Sequence, residues 1–219
     1  MKIVSIQQGK VTWLFETAEL NPRGLDIHPV VLAVKNRYGF STPSKREDIE
    51  NPTDGIKFEN GRYKLNEREA IGVQLTVYSD GLVAEVKTDT DLAEEFLGDA
   101  VAFFQQQIGM HNEPSMASRE LLVSRKLYVS TLVFESQSGF EKVNAILEPI
   151  CKLLNEASGK DYFVKGFTVG SGGTASTDEI FTIERRAILP LSSNRYFSFA
   201  RMTTKAHIAV LEKIEAALA

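Results

Sequence analysis

The run Gly166-Phe-Thr-Val-Gly170-Ser171-Gly172-Gly173-Thr174-Ala-Ser176 comes nearest, of all stretches in the chain, to an anion-binding loop. Consecutive glycines let main-chain N–H groups close on a phosphate, and the hydroxyls of Ser171, Thr174 and Ser176 add donors. The context that a phosphate loop needs is missing, however. No Gly-Lys-Ser/Thr ending follows, and Ile180-Phe-Thr-Ile-Glu reads as a strand where the motif requires a helix start. The run therefore reads first as a hairpin connection and only second as a ligand loop. Arg185, Arg186, Arg195, Arg201 and Lys205 supply cations in the same part of the chain. If Arg195 and Arg201 meet at the N-terminus of the last helix, they could hold a carboxylate or phosphate bidentately. The competing expectation pairs the arginines with Asp178, Glu179 and Glu184 on a sheet face. Gly170, Ser171, Gly172, Gly173, Arg195 and Arg201 are thus the candidate ligand-binding residues, with an anionic small molecule as the ligand.

Other constellations fall short of chemistry. His28, His111 and His207 are not spaced for a shared metal on one helix face. His111-Asn-Glu113 matches half of a zinc-deaminase signature, but the Pro-Cys-x-x-Cys half is absent. Cys151, the single cysteine, falls on or beside an apolar helical stripe, where a thiol packs rather than reacts. No Gly-x-Ser-x-Gly elbow occurs. Glu94-Glu95 are helix neighbours that face different ways, so they bias a helix N-terminus and form no carboxylate dyad. No catalytic residue, metal site or cofactor is expected.

The totals narrow the classes further. The chain has 219 residues, 43% of them hydrophobic, enough for a core without disulfide staples. One cysteine fits a reducing compartment, and the N-terminal sequence has no apolar signal core, so a soluble cytoplasmic protein is expected, with no membrane insertion. Net charge is −4, which makes a general grip on nucleic acid unlikely as a function. Residues 1–118 hold 12 basic against 18 acidic side chains, and residues 119–219 hold 13 against 11. That asymmetry suits head-to-tail association or a modest anion site, and equally suits ordinary surface charge.

The elements that must position these residues read as α+β, with an antiparallel or mixed sheet, a β-meander and three main amphipathic helices. Ile3–Ile6 and Val11–Phe15 suggest a hairpin about Gln8-Gly9, and Pro29–Phe40, rich in valine, suggests a third strand. Ser41–Gly55 reads as an irregular surface segment. Asn60-Gly61 and Asp80-Gly81 are type I′ turn dipeptides, each flanked by strand-like runs. Asp91 with Glu94 opens a helix ending at Gly109, and Met110–Ser118 is the linker candidate. Leu121–Phe134 reads as a strand apolar on both faces, hence central. Ser138 with Glu141 opens the next helix, striped by Phe140, Val143, Ile146, Leu147, Ile150, Leu153 and Leu154, carrying Pro149 and stopping at Gly159. Tyr162–Val169, Ile180–Leu189 and Tyr196–Ala200 follow as strands. A last helix, capped by Thr203 or Thr204, buries Ile208, Leu211, Ile214 and Leu218. One domain over residues 1–219 is expected, with a possible division into 1–109 and 119–219.

The functional expectation is a non-catalytic protein-interaction or assembly protein that forms homo-oligomers. It rests on the missing catalytic constellations and on apolar strands without evident edge protection. The alternative is a binding protein or enzyme for an anionic small molecule, built on Gly170–Gly173 with Arg195 and Arg201.

Overall fold

The structure is a computed structural model and describes residues 1–15, 26–43, 47–50, 54–112, 123–137, 141–170, 180–186 and 193–218. Among these residues the chain is α+β, with eight strands and five helices, one of them, α2 (Glu47–Glu50), a single turn. It divides into two compact units, Gln8–Val129 and Met1–Gln7 with Ser130–Ala219.

In the Gln8–Val129 unit the strand order is β2 (Ile56–Lys64), β3 (Ala70–Tyr78), β4 (Gly81–Val86), β1 (Lys2–Leu14, here from Gln8). Each neighbouring pair is antiparallel. Alternate residues of these strands, among them Phe58, Val73, Leu75, Leu82 and Ala84, are buried with Phe96, Leu97 and Ala100 of α3 (Thr90–Asn112). Period two on the strands and period 3.6 on the helix therefore meet in one core.

Several expectations are corrected in this unit. Residues 2–14 form one strand rather than a hairpin about Gln8-Gly9. Gly9 serves a close approach instead, because a Cβ there would stand 2.5 Å from the Thr88 carbonyl oxygen. Pro29–Phe40 is not a strand, since α1 spans His28–Tyr38. Proline suits its first turn, Val30, Val31, Val34 and Tyr38 are buried at helical spacing, and Gly39 at φ 65° ends it. Burial of that face outweighs the β preference of valine.

Asn60-Gly61 makes no turn. It is a bulge inside β2, with the register shifting between Phe58 and Gly61 and Asn60 at φ 57°, so positive φ is used to bend a strand. The β2–β3 connection is organised by Asn66, whose Oδ1 accepts the main-chain N–H groups of Arg68 and Glu69, each at 2.9 Å. The β3–β4 hairpin forms as expected, but Tyr78 pairs with Gly81, so its loop residues are Ser79-Asp80. In α3 the N-cap is Asp89, which accepts the Leu92 N–H at 2.9 Å, and the helix passes Gly109 to Asn112. Residues 113–118 of the expected linker lie outside the described residues.

In the second unit the strand order is β1 (here Lys2–Gln7), β5 (Arg125–Glu135, here from Ser130), β8 (Arg195–Ala200), β7 (Ile180–Arg185), β6 (Gly166–Gly170). β5–β8, β8–β7 and β7–β6 are antiparallel. The expectation for β5 holds where it enters this unit: Ser130 to Phe134 are buried on both faces. Leu132, Phe134, Ile183 and Tyr196 meet Leu211 of α5 (Thr204–Leu218), with Val143 of α4 (Glu141–Ser158) and Phe167 packed at the margin. Both helices therefore cover one face of this sheet.

Thr203 caps α5, accepting the Ala206 N–H at 3.3 Å. α5 buries Leu211 fully but Ile208, Ile214 and Leu218 only partly. Gly159, at φ 66°, stops α4 as expected. Strand β6 begins at Gly166 rather than Tyr162. Ser138, Phe140, Leu121 and the end of the expected strand Ile180–Leu189, Ala187–Leu189, lie outside the described residues.

Candidate interaction surface

The six residues singled out for ligand binding do not form one cluster among the described residues. Gly170 is the exposed last residue of β6 and pairs with Ile180. Ser171, Gly172 and Gly173 lie outside the described residues, as do Thr174, Ser176, Asp178 and Glu179. Arg195 and Arg201 flank β8 at its opposite ends, six residues apart, roughly 20 Å along an extended strand. Arg195 Nε pairs with Glu135 Oε2 at 3.4 Å, both side chains about two-fifths exposed, a contact of the weak surface kind. Arg185 lies over the Tyr196 ring, its Cζ 5.2 Å from the centroid. Glu184 pairs with Lys165 rather than with an arginine.

One buried pair has the elements of nucleophile and base, and the sequence did not reveal it. Ser198 on β8 and His207 on α5 are both wholly buried, with Ser198 Oγ 2.8 Å from His207 Nε2. The same Oγ donates its proton to the Thr182 carbonyl oxygen at 2.8 Å. The serine therefore accepts from the Nε2–H, and the ring cannot take its proton. Burial pushes the imidazole down to about 4, against a weaker upward pull from the Ser130 main chain. His207 Nδ1 and Ser130 Oγ complete no hydrogen bond in this apolar layer. The pair is a sheet-to-helix tie closed to substrate. Its one signal in the sequence is the period of the last helix, where His207 and Leu211 are spaced as one face.

Glu215 is the second buried polar centre. Its Oε1 accepts from Ser136 Oγ at 2.8 Å and from the Gln137 N–H at 2.7 Å, and its Oε2 pairs with the Met1 amino group. Burial raises its pKa, but these donors together outweigh burial and leave it lowered. In the Gln8–Val129 unit, Tyr63 and Tyr128 are pushed up to about 12 by burial and by hydrogen bonds to Glu95 and Glu94. Such phenols remain neutral donors across physiological pH and serve as structural anchors.

On one side of α4 the second unit presents an apolar stripe to solvent. On α4, Ile146 is 75% exposed, Leu153 66%, Ile150 54% and Leu154 43%. The helix turns Val143, Asn144, Leu147, Cys151 and Asn155 inward instead, a face rotated by about a quarter turn from the centre of the stripe at 100° per residue. The stripe expected from the sequence is present, but only its flank is packed. In the same unit Phe163 is 58% exposed and Val169, on β6, 55%. A shallow cavity of about 210 Å³ lies between the inward side of α4 and the chain after it, lined by Asn144, Glu148, Cys151, Tyr162, Phe163, Val164 and Arg185. The four α4 side chains alone present on the order of 400 Å², in the range of the largest apolar patch of a typical monomer, which is often a functional surface.

A larger groove, about 670 Å³, lies over the outward face of β2–β4, where Arg62, Gln74, Glu85 and Lys87 approach it. Its charges are of both signs and do not converge on one point. Among the described residues no group of His, Cys, Asp and Glu could hold a metal ion, and no helix is long and apolar enough to cross a membrane. Comparison with protein-family models, with curated proteins and with solved structures finds no match.

Proposed function

We propose that the chain is a non-catalytic assembly protein that self-associates through its Ser130–Ala219 unit. The observation that carries this reading is the exposure of Ile146, Ile150, Leu153 and Leu154 along one side of α4. Leaving such a stripe in water forgoes the burial that orders an amphipathic helix, and a partner surface restores it. A buried His–Ser tie and phenols held neutral favour scaffold over catalyst. A cytoplasmic setting belongs to the same proposal and is supported by the single cysteine. The rival use of Gly170–Gly173 with Arg195 and Arg201 for an anion draws no support from the spacing of the two arginines.

Light scattering behind size exclusion tests the proposal. The expected result is a species heavier than the 24.3 kDa chain, falling toward that mass in Ile146→Glu/Leu153→Glu with helix content unchanged. A wild-type chain that stays at the monomer mass up to high concentration would sink it.

A further inference from the structure

β6 is the end strand of its sheet, and its hydrogen-bonding pattern shows which groups face outward. The Arg185 N–H donates to the Lys165 carbonyl at 2.7 Å, so 165/185 is a hydrogen-bonded pair. Alternation along an antiparallel ladder makes 167/183 and 169/181 the next such pairs. The main-chain N–H and C=O groups of Gly166, Thr168 and Gly170 therefore point away from β7, and among the described residues nothing pairs with them.

The strand is short, five residues, but lacks the edge protection that side chains and backbone irregularities give. Gly166-Phe167-Thr168-Val169-Gly170 has no proline, no bulge and no charged side chain within it. It also reads the same way in both directions by residue type: glycine, apolar, threonine, apolar, glycine. An antiparallel copy centred on Thr168 sets Gly166 opposite Gly170, where no side chain obstructs the approach. It sets Phe167 opposite Val169, an aromatic and β-branched cross-strand pair. Those two residues lie on the helix-covered face, as their pairing with Ile183 and Phe181 requires. Val169, more than half exposed in the single chain, would thereby gain cover from the partner's strand.

We propose that two copies of the chain join β6 to β6, antiparallel about Thr168, so that the sheet of the Ser130–Ala219 unit runs on into a second copy. This rests on the self-association reading and supplies its geometry. The second copy is the occupant because the edge is complementary to itself and because a two-fold axis through Thr168 keeps both α4 helices on the same side of the joined sheet. The stripe of α4, with Phe163 and Val169, brings the apolar surface on that side toward the roughly 800 Å² per partner of a standard interface.

The test uses the full chain with Cys151→Ser and Thr168→Cys. The two introduced thiols would face each other across the axis at a hydrogen-bonded pair, about 5.5 Å between Cα atoms, within disulfide reach. Mild oxidation is expected to give a covalent dimer under native conditions and none in denaturant. Thr168→Pro removes an outward N–H together with the 3.4 Å hydroxyl contact to Thr182 and keeps the main-chain β6–β7 ladder, so it is expected to weaken the dimer at least tenfold while the monomer stays folded. A wild-type chain that is monomeric throughout overturns this geometry together with the assembly reading. A chain that self-associates, yet neither crosslinks at residue 168 nor responds to Thr168→Pro, overturns the edge pairing and leaves assembly through α4 standing. A monomer whose Thr168 amide becomes protected from exchange by an added extended peptide of unrelated sequence assigns the edge to a foreign strand and overturns the second copy.

Discussion

Protonating His207 places a cation where water does not reach, between β8 and α5, and this makes the residue a pH-dependent weak point. Its pKa is lowered from 6.5 to about 4 by burial, so the folded chain prefers the neutral ring. The stability tied to that preference is complete above pH 6.5, where folded and unfolded rings are both neutral. It is lost as pH falls from 6.5 toward 4, because the unfolded chain then binds a proton that the folded chain refuses. About 3 kcal/mol is at stake in that window. Chemical denaturation at stepped pH should show this decline, and His207→Leu should flatten it. Glu215 acts lower on the scale and in the same direction. Its lowered pKa gives stability that is present above the ordinary carboxylate range and lost as pH falls below it. An unchanged slope in His207→Leu between pH 6.5 and 4.5 would show that another group controls the loss.

Caps and turns show how a local signal can be right in kind and displaced by one or two residues. The sequence points to Asp91 as the residue that opens α3, yet Asp89 holds the Leu92 N–H. Asp89→Ala should therefore cost about 1 kcal/mol, while Asp91→Ala should lose only a few tenths of that through the helix dipole. Equilibrium unfolding of the two variants decides between them, and equal costs would contradict the cap assignment. The glycines show the same displacement. Gly61 was legible as a positive-φ partner of Asn60, but in the fold its lack of a Cβ makes room for the Phe40 ring. A turn dipeptide specifies backbone freedom, and the neighbouring chain decides whether that freedom makes a hairpin or a bulge.

For the whole molecule, the proposed self-association would link stability to concentration. If the associated form is the one that buries α4 and pairs β6, the melting temperature must rise with protein concentration, since association favours the folded state by mass action. A hundredfold concentration series by calorimetry should show the rise in the wild type and remove it in Ile146→Glu/Leu153→Glu. A melting temperature constant over that range would count against assembly through this surface. The acidic balance of residues 1–118 against the slightly basic remainder adds a salt-sensitive component only if the contact is head-to-tail, whereas the β6 pairing brings like surfaces together. Weak salt dependence is therefore the expected companion result.

The sequence by itself determined the α+β class, the doubly buried stretch of β5, the stop of α4 at Gly159 and a threonine cap for α5 at Thr203 or Thr204, because each is written in residues that are neighbours along the chain. It also determined that α4 has an apolar stripe. Only the tertiary structure decided that this stripe is left largely uncovered, since periodicity says which side chains share a face and is silent on what packs against it. The helical state of His28–Tyr38 was likewise out of reach, because burial of Val30, Val31 and Val34 in the core outweighed their β preference. So was the separation of Arg195 from Arg201 along one strand. Whether two side chains meet depends on strand register and direction, set by pairings between distant segments that no local pattern encodes.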